Sequence, residues 1–394
     1  MIERSVVSIV RIEDDAPRNI DKAVREAISL TGDWEKIVSY QDLILIKPNL
    51  VAVPSDRLNG AVTRWEVCKV VADLVRETGG RPVIADSAAV GVNTEEVMQA
   101  TGYLGLREVG YEVVDLKTRP KVVRKIPEGR VLKEVTTFDL VEEAKAIVSV
   151  PVMKTHDQTE ITVSLKNLKG LIDDKDKRRL HQEGVLHGVL DLQEAFRTAF
   201  AVVDGTFCQE GLGPIHGHTV EMGLILAGSD LVAVDAMAGR IMGFAPEEVL
   251  ITQYGAERGL GISVLDRIEI KGEPWEKVKR RFMRSAEDKR VDVRGLQILH
   301  AEGSCTGCRN TVVSALFDMK RAGQVEYLED MVIVTGPGVE VPAGTSIDHL
   351  VSVGVCVSWE LRGEYFARGC PPNNSWVVEQ VLKAKGAMNS ERGR

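Results

Sequence analysis

At 394 residues the chain is longer than a single hydrophobic core usually supports, so two domains are expected. A net charge of −8 argues against a nucleic-acid or anionic-membrane surface as the main partner, so any anion site must be local. Plentiful aliphatic residues, few aromatics and 36 glycines suit an α/β architecture with many strand-to-helix turns.

The opening run MIERSVVSIVRIEDD places charges among its first residues and lacks an apolar core or a small-residue cleavage site, so no secretory signal is expected. No apolar run approaches the roughly 20 residues that span a bilayer. The expected location is cytoplasmic, without a membrane partner.

Along the chain, short apolar runs alternate with amphipathic stretches. Ser5–Val10, Leu43–Ile46, Pro82–Ala85, Ala146–Val150, Phe200–Val203 and Gly223–Ala227 read as buried strands of a largely parallel sheet. Trp65–Arg76, Leu186–Phe196 and Leu231–Met242 carry helical apolar spacing and read as covering helices. The βαβα order predicts a doubly wound sheet domain over residues 1–272.

Polar residues follow several of these strands. Lys47 and Asn49 come after the second, Asp86 and Ser87 after the third, and Lys154 and His156 after the fourth. Thr162–Gly170 then adds Lys166, Asn167 and Lys169 on a helical stretch whose apolar face is Leu165, Leu168 and Ile172. Lysines, an amide and an imidazole together suit a carboxylate or phosphate, and strand ends rich in polar groups and glycine favour a crevice over a solvated basic face. Lys154 and His156 are the catalytic candidates: His156 as general acid or base, Lys154 holding the anion with Lys166 and Lys169. Lys47, Asn49 and Asn167 complete the candidate substrate site.

No GxGxxG or P-loop stands in the required context, so no bound nucleotide is expected. His216 and His218 have metal-ligand spacing without an adjacent acidic ligand. His181 and His187 flank the basic turn Lys175–Arg179, which suits an anion site or a cap. Cys68 reads as a small buried hydrophobe, Cys208 as loop packing, and Asp235 as favouring a helix dipole.

The charged stretch 273–294 reads as a solvated linker, and residues 295–394 as a second, smaller α/β unit with strands Leu296–Leu299, Met331–Val334 and Leu350–Val353. Four cysteines sit in it, in the frames Gly303-Ser-Cys305-Thr-Gly-Cys308, Gly354-Val-Cys356 and Gly369-Cys370-Pro-Pro-Asn373. A CxxC pair with a distant third thiol and a fourth before proline is the ligand set of an iron–sulfur cluster, and a [4Fe–4S] cluster is expected. Zinc would normally show a second CxxC or CxxH pair, a redox dithiol needs no third and fourth cysteine, and disulfides need an oxidising compartment.

Two resemblances follow from these motifs. CTGC, a lone cysteine after glycine and GCPPN are similar to the proximal-cluster module of nickel–iron hydrogenase small subunits and the equivalent small subunit of respiratory complex I. That likeness implies Cys305, Cys308, Cys356 and Cys370 as the four ligands. KPNL, the KTH and LKNLKG segments, DG with GLGPIHG, and GSDLVAVDA resemble the family catalogued as domain of unknown function 362, over about residues 40–250. That family supplies a domain without a reaction.

The expected function is an iron–sulfur oxidoreductase or electron-transfer enzyme acting on a small anion, with the cluster in the crevice between domains. Three iron ligands instead of four would leave a Lewis-acid site for a dehydratase or isomerase. A non-catalytic cluster subunit would instead show an exposed apolar patch near the cluster and no substrate pocket. A redox partner protein and a homo-oligomer are both left open.

Overall fold

The structure, a computed structural model, describes residues 4–288, 291–301, 305–346 and 349–387. Gly303 and Ser304 of the first cysteine frame, and residues 289–290 of the charged stretch, lie outside them.

The strands are β1 (Ser5–Arg11), β2 (Leu43–Pro48), β3 (Arg81–Asp86), β4 (Glu112–Asp115), β5 (Lys121–Lys125), β6 (Glu134–Phe138), β7 (Ala146–Val150) and β8 (Val152–His156). They continue as β9 (Glu160–Thr162), β10 (Phe200–Glu210), β11 (His218–Gly228), β12 (Ile268–Gly272), β13 (Gln297–His300), β14 (Val332–Thr335), β15 (Leu350–Val353) and β16 (Phe366–Ala367). The large sheet runs β12-β1-β11-β10-β7-β2-β3-β4, with β8 on β10 and β9 on β8.

Strand periodicity explains the apolar runs. In β2, Leu43 and Leu45 enter one core while Ile44 and Ile46 enter the other, and β3 divides Val83 and Ala85 from Ile84 in the same way. Helices Pro17–Thr31 and Trp65–Glu77 cover one face; Val185–Phe196 and Leu231–Ile241 cover the opposite one. The mixed α/β, mostly parallel sheet matches the expected class.

Its edge differs from the expectation. β11 pairs antiparallel with both β1 and β10, and β10 and β11 are each 11 residues long. Only Phe200–Val203 and Gly223–Ala227 form apolar runs; the rest of β10 buries polar residues such as Asp204 and Gln209, and the outer half of β11, from His218, carries polar and exposed residues that conceal the strand. The KTH segment also differs. Pro151 ends one pairing, and Lys154 and His156 lie inside their own strand, β8, rather than past a strand end. Cys208 lies within β10, not in a loop.

The smaller sheet is parallel, in the order β13-β14-β15-β16. Helices Gly307–Arg321 and Asn374–Ala384 cover it through Val312, Leu316, Val377 and Val381 against Ile333, Val351 and Val353. Within the charged stretch, Trp275–Val278 is a short helix, and Phe282 is buried in the large core.

Candidate functional site

The carboxyl ends of β2 and β3, strand β8 and the segment after β9 open on one cavity of about 550 Å³. Its far wall is Ser314 and Asp318 of the Gly307–Arg321 helix and Asn373–Trp376 of the smaller unit. Six cationic side chains (Lys47, Lys154, Lys166, Lys169, Lys177 and Arg178) line it against three carboxylates, Asp86, Asp157 and Asp318.

Lys47 pairs with Asp86 at 2.7 Å and donates to Asn167 Oδ1 at 2.9 Å. The backbone at Gly170 crosses directly over this pair: a Cβ there would stand 2.0 Å from Asp86 Oδ1 and 2.6 Å from Lys47 Nζ, so glycine is required by contact. Asn167 also donates to Lys47 O at 3.0 Å and Ser149 Oγ at 3.1 Å. Its amide is thus engaged by protein, and its role is to hold Lys47 in place. Lys154 donates to Asn49 Oδ1 at 2.7 Å, Ala61 O at 2.5 Å and Pro214 O at 3.2 Å, all uncharged acceptors.

Lys166 and Lys169 meet imidazoles. Lys166 Nζ stands 3.1 Å from His156 Nε2, and Lys169 Nζ contacts His181 Nε2. His156 Nδ1 in turn lies 2.9 Å from Asp157 Oδ1 and also 2.9 Å from the Gln158 amide. Burial pushes the Lys166 amine down to about 8, and burial with the neighbouring Lys166 pushes His156 down to about 4. Burial, reinforced by neighbouring lysines, also holds Lys154 and Lys169 well below the usual lysine range. His181 is held low by burial and then by Lys169.

Sequence reasoning missed Lys177. The basic turn is the helix Asp174–Glu183, which sends Lys177 inward to Ser87 Oγ at 2.7 Å and Ala88 O at 2.7 Å. A single inward lysine among outward ones leaves no pattern in composition. Asp235 was read as a dipole partner; it lies inside Leu231–Ile241 and caps a different helix, accepting from the backbone of Ser164 at 2.8 Å and Leu165 at 3.0 Å. That helix, Ser164–Asn167, carries Lys166. His216 contacts Arg321 and Phe317, whereas His218 lies 3.7 Å from Asp288, so the two histidines do not converge.

The four motif cysteines gather at one end of the smaller sheet. Cys305 precedes the helix Gly307–Arg321 and Cys308 lies in its first turn; Cys356 follows β15 and Cys370 follows β16. Cys308 is buried and the other three are exposed. The neighbouring Cys308 and Cys356 thiols act on each other, which raises the former and lowers the latter, and burial, with a smaller contribution from Cys356, raises Cys305 and Cys370. Gly354, at φ +96°, opens the space beside them: a Cβ there would fall 2.4 Å from Cys308 Sγ and 3.8 Å from Cys356 Sγ. Among the described residues, no group of three His, Cys, Asp or Glu side chains is set to hold a metal ion. A cluster distributes its thiolates over several irons, so Cys308 and Cys356 would have to part to bind one. In type, number and exposure the donor set fits an iron–sulfur centre; Cys68 and Cys208, each buried in a core of the large sheet, stand apart from it.

The two sites touch. Gln158 Nε2 donates to Pro372 O at 2.9 Å, and the Val185 amide donates to Cys370 O at 3.1 Å.

The family model described as domain of unknown function DUF362 matches residues 44–240. The thylakoid-associated protein sll1697 of Synechocystis sp. is 27% identical over 270 residues, which cover 65% of this chain and 80% of that protein. The lactate racemase apoprotein of Thermoanaerobacterium thermosaccharolyticum aligns with a TM-score of 0.43 at 12% identity, covering 98% of this chain and 81% of that one. Among the described residues, no helix is long and apolar enough to cross a membrane.

Proposed function

The chain belongs to the DUF362 family, whose matched residues 44–240 contain every lysine of the cavity, and from this premise we propose that the cavity binds a small anion beside an iron–sulfur centre held by Cys305, Cys308, Cys356 and Cys370. The protein is on this reading an iron–sulfur oxidoreductase or electron-transfer enzyme whose C-terminal module is similar to that of nickel–iron hydrogenase small subunits. A cluster on these thiolates would supply single electrons.

One observation carries the reading. The cavity with the excess of buried ammonium groups is closed by Asn373–Trp376, the residues that follow Cys370, Pro371 and Pro372 in the chain. The segment that carries Cys370 thus continues into the wall of the cavity. Lys154, Lys166 and Lys169 balance the charge of the ligand, Lys47 is held for it by Asp86 and Asn167, and neutral His156, whose Nδ1 accepts from the Gln158 amide, can donate its proton at Nε2.

A second reading, a cluster-bearing subunit of a larger redox complex, is favoured by Val355 and Trp359, which flank Cys356 and are 37% and 76% exposed. The lysine cavity has no part in it, which ranks it second.

Anaerobically purified protein tests the proposal. It should hold about four irons and four acid-labile sulfides per chain, with the matching visible absorption, and bind inorganic phosphate or small carboxylates in calorimetry. About one zinc per chain without visible absorption would contradict it.

A further inference from the structure

Asp157, His156 and Lys166 form a line of carboxylate, imidazole and amine. The carboxylate lies 2.9 Å from Nδ1 of the ring, and the amine 3.1 Å from Nε2. The Gln158 amide donates to the same Nδ1 at 2.9 Å, so the neutral ring carries its proton on Nε2 and holds the Lys166 amine there. Among the described residues, His156 is the sole hydrogen-bond contact of the Lys166 amine, which lines the cavity. Lys154, by contrast, is fixed by three oxygen acceptors and Lys47 by an ion pair.

We infer that Lys166 is a nucleophilic amine that condenses with the carbonyl group of a 2-oxo carboxylate, with His156 as the residue that positions the amine and Asp157 as the charge that tunes it. The inference rests on the anion reading of the cavity and narrows its ligand class. Lys169 lies three residues on, where the chain tightens into a 3-10 turn and side chains three apart stand one above the other. An ammonium beside a nucleophilic amine matches a carboxylate beside a carbonyl. Burial, which brings Lys166 to about 8, leaves a usable fraction of free amine near neutral pH. Around it stand His156 and Asp157 at the β8 end, Lys154 within β8, Lys169 on its own segment and His181 on the Asp174–Glu183 helix.

The step balances without an oxidant. The nitrogen lone pair of Lys166 forms a bond to the carbonyl carbon as the carbon–oxygen π bond breaks. Both amine protons pass to the departing oxygen, which leaves as water, so that a neutral imine on Lys166 and one water result.

Reductive trapping tests this on the full chain. With pyruvate or 2-oxoglutarate and sodium cyanoborohydride, peptide mass mapping should find the reduced adduct on Lys166. K166M should abolish it, and H156Q should slow it by roughly 100-fold, in the range of a misplaced reacting group. D157N should lower the plateau of the pH–rate profile and move its midpoint down, because Asp157 supports the charged form of Lys166; a purely structural Asp157 would leave the midpoint in place. Lactate and inorganic phosphate should bind in calorimetry without any adduct. Binding of pyruvate with no adduct, or an adduct on Lys154 or Lys169, would overturn the assignment of Lys166 and leave the anion cavity standing. If calorimetry detects neither acids nor phosphate, both readings fall together.

Discussion

Glu160 Oε1 accepts a hydrogen bond from Asn310 Nδ2 at 3.0 Å and another from Thr306 Oγ1, tying the β8–β9 hairpin to the first turn of the helix that carries Cys308. Two residues earlier Gln158 reaches Pro372 O at 2.9 Å. The strand bearing Lys154 and His156 therefore ends in a clamp that holds two of the three cysteine-bearing segments, those of Cys308 and Cys370.

The clamp has a pH signature. Burial raises the Glu160 carboxyl from 4.5 to about 8. Because the folded value is the higher one, its contribution is fully present below about 4.5 and is lost as pH rises toward about 8. Wild-type protein should lose thermal stability across this window relative to E160Q. Parallel melting curves in calorimetry check it; identical slopes would remove Glu160 from the interface energetics.

Replacing Cys305, Cys308, Cys356 or Cys370 with Ser should each lower iron content, since a hydroxyl is a poor substitute for a soft thiolate. Cys68→Ser and Cys208→Ser, whose thiols are fully buried elsewhere, should keep it. Iron and sulfide analysis of the six variants decides, and loss of iron from either control would mean that the ligand set is different.

Asp235→Ala should cost roughly 2–3 kcal/mol in urea unfolding, because it leaves the Ser164 and Leu165 amides and the Ser164 hydroxyl without their buried acceptor. Anion affinity should fall with it, since the capped helix carries Lys166.

The strand runs were legible because a sheet covered on both faces shows as uninterrupted Val, Ile and Leu, as in Leu43–Ile46. The cysteine frames were legible because ligand chemistry constrains short spacings. The inward turn of the lysines was not: LKNLKG reads equally well as a solvated helix face, and its burial is set by Gly170 lying over the Lys47–Asp86 pair. The contacts from Gln158 to Pro372 and from Glu160 to Asn310 span 214 and 150 residues, a range at which sequence periodicity carries no signal.

Lysines buried for function oppose stability. Lys166→Met should weaken anion binding by roughly 1.5–3 kcal/mol, as expected for a charge-assisted hydrogen bond. In the absence of ligand K166M should nevertheless melt higher than wild type. Burial depresses Lys166 from 10.5 to about 8, so its cost is present below about 8 and fades as pH rises toward 10.5; the advantage of K166M should fade over the same interval. Calorimetric titration and melting curves at several pH values measure both effects.

The central claim is that a metal centre on the four thiols feels an anion in the lysine cavity. It is tested most directly by the electron paramagnetic resonance spectrum of the anaerobically reduced protein, recorded with and without saturating phosphate or 2-oxo acid. The expected result is an iron–sulfur signal whose line shape changes on anion addition and no longer changes in Lys166→Met, because nearby charge tunes such centres. A spectrum without an iron–sulfur signal, or one unaltered by an anion that calorimetry shows to be bound, would contradict it.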